Sequence, residues 1–73
     1  MTAIRWGILG TGAIAKAFAE AIQETEGDLI AVASNTKQRA EEFVKDYQCE
    51  PVEGYHNLIS NPAINAVYVA TPH

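Results

Sequence analysis

Two kinds of hydrophobic spacing alternate along the chain and predict strands and helices in turn. Mostly apolar runs at Ile4–Leu9, Leu29–Ala33 and Ala66–Ala70 predict strands. The run Leu29–Ala33 is continuously apolar, which is typical of a strand that is buried on both faces of a parallel sheet. Between the first two runs, apolar residues recur at helical spacing. This spacing predicts a helix over about Ala13–Thr25, with Gly27 at the position of its C-cap.

A second helix is predicted to begin at Thr36 or Lys37. Its apolar side is formed by four residues at helical spacing, and its other side carries charges. The four residues are Ala40, Phe43, Val44 and Tyr47. The helix is therefore expected to pack on the sheet.

The segment between the second helix and the last strand has weaker signals. Pro51 and Gly54 interrupt regular structure, although Cys49–Val52 can add a short extended piece. One or two helical turns are predicted over Tyr55–Ser60, and they end where Pro62 restricts the residue before it. The inward residues of these turns are predicted to be Tyr55, Leu58 and Ile59.

This order of elements predicts an α/β fold. Residues 1–73 are expected to form a Rossmann-type βαβαβ half of a dinucleotide-binding domain, a three-stranded parallel sheet in the order 3-2-1 flanked by helices. In that order Ala66–Ala70 is the third strand and lies beyond Leu29–Ala33. The first strand, Ile4–Leu9, is then left with a free edge, which predicts a homo-oligomer through that edge.

The turn between the first strand and the first helix has the spacing G-x-G-x-x-A, formed by Gly10, Gly12 and Ala15. The first glycine permits a tight turn, the second lets a pyrophosphate approach the backbone, and the alanine keeps the helix close to the strand. The N–H groups of residues 11–14 would point at the anion from the helix N-terminus. A strand-to-helix turn without any ligand would give the same spacing.

Charge and composition narrow the class of partner. The formal net charge is −4 and no run of Lys or Arg occurs, which argues against nucleic acid or an anionic membrane surface as the partner. No segment has the pattern of a membrane span or a signal peptide, so a cytoplasmic location is expected. Cys49 is the only cysteine and His56 is isolated, so neither predicts a metal site.

Polar residues follow the second strand, where an NAD site usually carries Asp or Glu for the ribose hydroxyls. Here Ser34, Asn35 and Thr36 follow the strand, and no carboxylate is present among them. Their side chains can donate hydrogen bonds to a 2'-phosphate, and Lys37 or Arg39 can supply positive charge, so NADP is favoured over NAD. In an alternative interpretation, Ser34 and Thr36 only cap the second helix.

Four stretches together resemble the start of the glucose-fructose oxidoreductase / inositol dehydrogenase (Gfo/Idh/MocA) family. They are Ile4–Ala15, Ala31–Ser34, Tyr55 with Leu58, and Ala66–His73, which ends in Ala-Thr-Pro-His. The resemblance covers the whole chain. It implies an NAD(P)-dependent oxidoreductase that acts on sugars, polyols or related cyclic alcohols.

The resemblance also implies roles for individual residues. The cofactor pyrophosphate would be held by Gly10, Thr11, Gly12, Ala13 and Ile14. The adenosine ribose or its phosphate would meet Ser34, Asn35 and Lys37, and the cofactor would run along Thr71, Pro72 and His73. Asn35 departs from the Arg that many NADP-using relatives carry at this position.

No catalytic residue is assigned. The family's proton-transferring lysine, in a Glu-Lys-Pro strand, and its catalytic histidine belong to segments outside this sequence, as does the substrate domain, and His73 is not that histidine. We therefore expect no turnover by the 73-residue chain alone. Two other functions stay open: a non-catalytic, self-associating nucleotide-binding half-domain, and a methyltransferase-like sheet that binds S-adenosylmethionine. The missing acidic residue after the second strand counts against the latter.

Overall fold

The computed structural model describes residues 3–70, and its strands form one four-stranded parallel sheet in the order β3-β2-β1-β4. In chain order the elements are β1 (Arg5–Leu9), α1 (Ala13–Gln23), β2 (Asp28–Ser34), α2 (Lys37–Val44), β3 (Glu50–Glu53), α3 (Tyr55–Ile59) and β4 (Ala66–Val69). The predicted Rossmann-type α/β fold is confirmed. The predictions for Thr71, Pro72 and His73 lie outside the described residues.

The predicted number and order of strands are wrong. The short segment Glu50–Glu53 is a full strand that pairs with β2, and it takes the third place in the sheet. The run Ala66–Val69 instead pairs with β1, from Trp6 opposite Ala66 to Leu9 opposite Val69. Because β1 has a neighbour on each side, its predicted free edge does not exist, and an oligomer cannot form through it.

The segment before β4 is tied to the start of β1 by three hydrogen bonds. The Arg5 N–H donates to Asn65 Oδ1 at 2.8 Å, and the Asn65 N–H donates back to the Arg5 carbonyl oxygen at 2.9 Å. The Arg5 side chain adds a bond from Nε to the Ala63 carbonyl oxygen at 2.6 Å. These bonds bring β4 beside β1 rather than beyond β2.

The core consists of two layers, one on each face of the sheet. Consecutive residues of one strand enter different layers, as Ile8 and Leu9 of β1 do. The first layer holds α1 and the segment around α2 against the sheet, with Ile8, Ala15, Ala19, Ile22, Val32 and Tyr47. The second layer holds α3, with Leu9, Ala31, Ala33 and Leu58.

The ends of the helices differ from the predictions in detail. Helix α1 ends at Gln23, two residues before the predicted Thr25. The Thr25 hydroxyl donates to the Ile22 carbonyl oxygen at 2.7 Å and accepts from the Gly27 N–H at 3.0 Å, so the chain leaves the helix here and Glu24, not Gly27, is the C-cap.

Of two residues that were predicted to face inward, Tyr47 is buried and Ile59 is exposed. Tyr47 lies beyond the end of α2 but is buried, and its hydroxyl donates to Glu20 Oε2 at 3.3 Å. Ile59 of α3 was predicted to face inward, but its side chain is 58% exposed, and Leu58 is the buried residue of this short helix. Helical spacing therefore located the core side of α2 better than that of α3.

Two further observations apply to residues 3–70. None of the helices there combines the length and the apolar character that crossing a membrane requires. Within the same range, His, Cys, Asp and Glu side chains do not come together in threes at a distance that could hold a metal ion.

We expect Gly7→Ala to destabilise the protein. A Cβ built on Gly7 would lie 2.6 Å from Leu58 Cδ2 and 2.9 Å from Ile64 Cδ1, and the Leu58 side chain is fully buried. Overpacking of this kind costs about 1–3 kcal/mol, which urea denaturation will measure as a lower free energy of unfolding. A Gly7→Ala chain as stable as the wild type would contradict this packing.

We also expect the free energy of unfolding to fall as the pH rises from about 9 to 11. Burial raises the pKa of the Cys49 thiol from 9.0 to about 11, so the unfolded chain loses this proton more readily than the folded one. The effect is on the order of 1 kcal/mol, because Cys49 is only partly buried and solvent screens the charge. Alkaline titration of stability should show a steeper fall in the wild type than in Cys49→Ala. Equal slopes would contradict the expectation.

Candidate functional site

The chain makes a tight turn where β1 ends. Gly10 has a φ of 114°, in the left-handed region that side chains other than glycine rarely adopt. Its N–H donates to the Ala33 carbonyl oxygen of β2 at 2.8 Å, which fixes the turn against the neighbouring strand. The glycine predicted to permit this turn is therefore required by its backbone conformation.

The helix after this turn begins with free backbone donors. The first intrahelical bond at this end runs from the Lys16 N–H to the Gly12 carbonyl oxygen at 3.0 Å, and no side chain caps the helix. The N–H groups of the first turn thus have no acceptor within the helix. No acidic residue lies in this turn, so the positive end of the helix dipole is not compensated. An anion fits this end of α1.

Gly12, the N-cap of α1, has no reason within the described fold to be glycine. Its φ of −79° is open to any residue, and a Cβ built on it would meet nothing within 4 Å. The missing side chain therefore leaves open space directly above the free N–H groups. A pyrophosphate that approaches the backbone would fill this space, so the residues present fit such a group.

A cleft of about 740 Å³ opens from this turn at the carboxyl ends of the strands. β2 lies on one side of β1 and β4 on the other, so the strand order reverses at the β1–β4 boundary, where ligands bind in sheets of this type. The lining residues come from the ends of β1, β2 and β4, from the helices α1, α2 and α3, and from the segments that join them. They are Gly10, Thr11, Gly12, Ala13, Lys16, Ser34, Asn35, Thr36, Arg39, Glu42, Phe43, Asp46, Tyr55 and Ala70.

Most of the predicted site residues within the described range line this cleft, and two do not. Gly10, Thr11, Gly12, Ala13, Ser34 and Asn35 line it. Ile14 does not, and its side chain is exposed, although its N–H belongs to the free first turn of α1. Lys37 lines a separate groove, together with Glu50 and Glu53 of β3.

The side chain of Ser34 stabilises the loop that follows β2. Ser34 is only 5% exposed, and its Oγ accepts a hydrogen bond from the Thr36 N–H at 3.4 Å. Thr36 is the N-cap of α2, but its side chain makes no capping hydrogen bond. Ser34 therefore has a structural role, whereas the Thr36 hydroxyl and the Asn35 amide remain available at the wall of the cleft.

Charged and aromatic residues of the cleft were not all foreseen. Lys16 lies one turn after Gly12, on the side of α1 that meets the cleft, and this spacing is the signal by which it could have been found. Glu42 and Asp46 bring negative charge to the wall formed by α2 and the segment after it. The Glu42 carboxylate accepts a hydrogen bond from Gln38 Nε2 at 3.4 Å. Tyr55 completes the wall from α3.

A comparison with known protein families shows to which family the chain belongs. The profile of the family described as "Oxidoreductase family, NAD-binding Rossmann fold" (GFO_IDH_MocA) matches residues 4–73. The chain belongs to this family. The resemblance predicted from the sequence is thereby confirmed, and the match supports the oxidoreductase interpretation over the methyltransferase-like one.

Individual relatives support the same family assignment. A D-xylose 1-dehydrogenase (NADP(+)) from Hypocrea jecorina is 32% identical over 84 residues, which cover 96% of this chain and 22% of the relative. A 3-ketoreductase from Actinomadura kijaniata in complex with NADP superimposes with a TM-score of 0.86 and 36% identity, over 97% of this chain and 23% of the relative. A myo-inositol dehydrogenase from Lactobacillus casei, in complex with NAD(H) and myo-inositol, has a TM-score of 0.85 and 27% identity, over 96% and 22%. The chain spans about a fifth of the length of the curated relatives it matches.

We expect Gly12→Ala to weaken the binding of ADP-ribose without unfolding the protein. The new methyl group would occupy the open space above the first turn of α1. Isothermal titration should show at least about tenfold weaker binding, equivalent to about 1.4 kcal/mol, while the free energy of unfolding changes by less than about 1 kcal/mol. Ala21→Ser, on the exposed side of α1, is the matched control. Unchanged affinity in a folded Gly12→Ala chain would show that no ligand group approaches this backbone.

Proposed function

We propose that this chain binds the adenosine and pyrophosphate parts of NADP, in preference to NAD, as part of an oxidoreductase that acts on a sugar, a polyol or a related cyclic alcohol. The observation that carries the proposal is the open space at Gly12 above the uncapped N-terminus of α1, in a cleft where the strand order reverses. Family membership and relatives that act on D-xylose or bind myo-inositol support the reaction class.

In this proposal the chain binds and orients the cofactor. The free N–H groups at the start of α1 donate to the pyrophosphate oxygens, and Lys16 adds positive charge at the wall of the cleft. Thr71, Pro72 and His73 are proposed to continue along the cofactor. When bound, the nicotinamide supplies the hydride chemistry. No residue of the chain is proposed as catalytic, so the chain alone should not turn over substrate.

The preference for NADP rests on the loop after β2. Asn35 and Thr36 line the cleft as neutral donors, and no carboxylate stands between them and the strand end. An acidic side chain there would repel a 2'-phosphate, whereas these donors can bind it. Positive charge comes from Arg39, in the first turn of α2, because Lys37 lines the other groove.

The two carboxylates of the cleft lie farther along α2 and beyond it. Glu42 is three residues after Arg39, so at a rise of about 1.5 Å per helical residue it lies about one turn farther from the helix N-terminus. Asp46 follows the end of α2. The helix N-terminus and Arg39 therefore form the anion-binding end of the cleft. The 2'-phosphate is proposed to lie at this end.

We expect Arg39→Ala to weaken NADPH binding selectively. Loss of a hydrogen bond between the guanidinium and a phosphate costs about 1.5–3 kcal/mol, so the dissociation constant for NADPH should rise at least about tenfold. NADH binding should change less than about twofold. Lys37→Ala is the matched control, because it removes the same charge from a neighbouring position outside the cleft, and it should leave both affinities nearly unchanged. Titration by intrinsic Trp6 fluorescence or by calorimetry measures both affinities for the wild type and for each variant.

Every other outcome of this experiment would contradict a particular part of the proposal. If the folded wild-type chain binds neither NADPH nor NADH, it is not the adenosine-binding part. If NADH binds as tightly as NADPH, the preference is wrong. If Lys37→Ala has the larger effect, the charge at the 2'-phosphate comes from Lys37. Hydride transfer by the isolated chain would contradict its proposed lack of activity.

A further inference from the structure

Tyr55, the first residue of α3, contributes a side chain to the cleft from the second face of the sheet. The side chain is half-buried, because it packs against the core layer of Leu9, Ala31, Ala33 and Leu58 and also lines the cleft. The other residues of α3 do not line the cleft. The contribution of this helix to the cleft is therefore a single aromatic ring.

The turn before Tyr55 fixes this ring beside the loop that follows β2. Gly54 has a φ of 87°, in the left-handed region that favours glycine. Its N–H donates to the Ser34 carbonyl oxygen at 2.8 Å, so the turn is bonded to the end of β2. Asn57 Nδ2 donates to the Glu53 carbonyl oxygen at 2.7 Å and closes the turn from the other side. Tyr55 thus follows directly after a residue that is bonded to the start of the proposed 2'-phosphate loop.

The two faces of the sheet differ in the charge that they bring to the cleft. The charged lining residues all belong to α1, to α2 or to the segment after α2, which pack on the first face; they are Lys16, Arg39, Glu42 and Asp46. The second face contributes Tyr55 and no charged residue. Phe43 is the other aromatic residue of the cleft, but it lies among these charges, and its ring is 5.1 Å from that of Tyr47 between centroids. Tyr55 is therefore the aromatic wall on the uncharged side.

We propose that Tyr55 contacts the adenine ring of the cofactor and orients it in the cleft, an inference that rests on the proposed function. In adenosine the base and the 2'-oxygen project from opposite faces of the ribose. A 2'-phosphate at Arg39 and the N-terminus of α2 therefore directs the base away from the first face of the sheet and towards Tyr55. Adenine is uncharged and planar, and an aromatic side chain is a general platform for such a base. Tyr55 is thus a positioning residue for the adenosine end of the cofactor.

Nuclear Overhauser spectroscopy of the isotope-labelled chain with NADPH tests this contact directly. We expect cross-peaks between the adenine protons H2 or H8 and the ring protons of Tyr55. Cross-peaks to the Phe43 ring in their place would overturn the inference, and so would binding that shifts the amide signals of Gly12 and Arg39 without any cross-peak to Tyr55. If NADPH leaves those amide signals unchanged, cofactor binding itself fails, and the inference fails with it.

Calorimetric titration of two variants measures what the ring contributes. Tyr55→Leu should weaken NADPH binding at least about fivefold, as the loss of a base–aromatic contact does. It should leave the binding of inorganic pyrophosphate at the start of α1 unchanged, because pyrophosphate has no base. Tyr55→Phe keeps the ring and is the matched control, which should bind NADPH within about twofold of the wild type. Unchanged NADPH affinity in Tyr55→Leu would overturn the inference. An equal loss for NADPH and pyrophosphate would also overturn it, since that result indicates a purely structural role.

Discussion

Strand β1 is the element on which the rest of the structure depends, because it is paired on both sides and covered on both faces. Ile8 enters one core layer and Leu9 the other, so the strand cannot shift by one residue without exchanging them. Two hydrogen bonds of 2.8 Å fix its carboxyl end, one from the Gly10 N–H to Ala33 O and one from the Ala70 N–H to Leu9 O. The glycine turn therefore starts from a point that is fixed to segments on both sides of β1.

The positions of the charged residues in the cleft follow from this arrangement of strands and helices. Helices α1 and α2 both begin at the carboxyl edge of the sheet, and the cations Lys16 and Arg39, near the starts of these helices, line the cleft. The carboxylates of Glu42 and Asp46 come later in the chain and also line the cleft. The positive ends of both helix dipoles and the two cations therefore lie towards the carboxyl edge of the sheet.

Much of the fold could be predicted from local patterns, and the part that could not depends on pairing. Strands β1 and β2 are nearly continuous apolar runs, which reflects their burial on both faces. Strand β3 has no such pattern, because as an edge strand it carries Glu50, Pro51 and Glu53. When β3 is not recognised as a strand, the predicted order places Ala66–Val69 beside β2 instead. No local pattern specifies that this run pairs with β1, since the bonds of Arg5 to Asn65 join residues 60 positions apart.

A similar limit applies to the candidate site. Local spacing identifies its glycines but does not tell which residues of α2 face the cleft. Gly10 and Gly12 were found from spacing alone, because a tight turn and an open helix N-terminus are properties of a few consecutive residues. The choice between Lys37 and Arg39 was not available from sequence. Two residues along a helix are about 200° apart around its axis, so only one of them faces the cleft. That orientation is set by how Ala40 is buried against the sheet.

The ties between Arg5 and the Ala63–Asn65 segment also bear on the order in which the molecule is built. A contact that spans 60 residues closes a long loop, and such contacts form late because loop entropy is lost before they stabilise the chain. During synthesis, β1, α1 and β2 can associate while the segment that will flank β1 on its other side is still inside the ribosome. The glycine turn after β1 is therefore shaped early, and the contribution of β4 to the cleft is added after it.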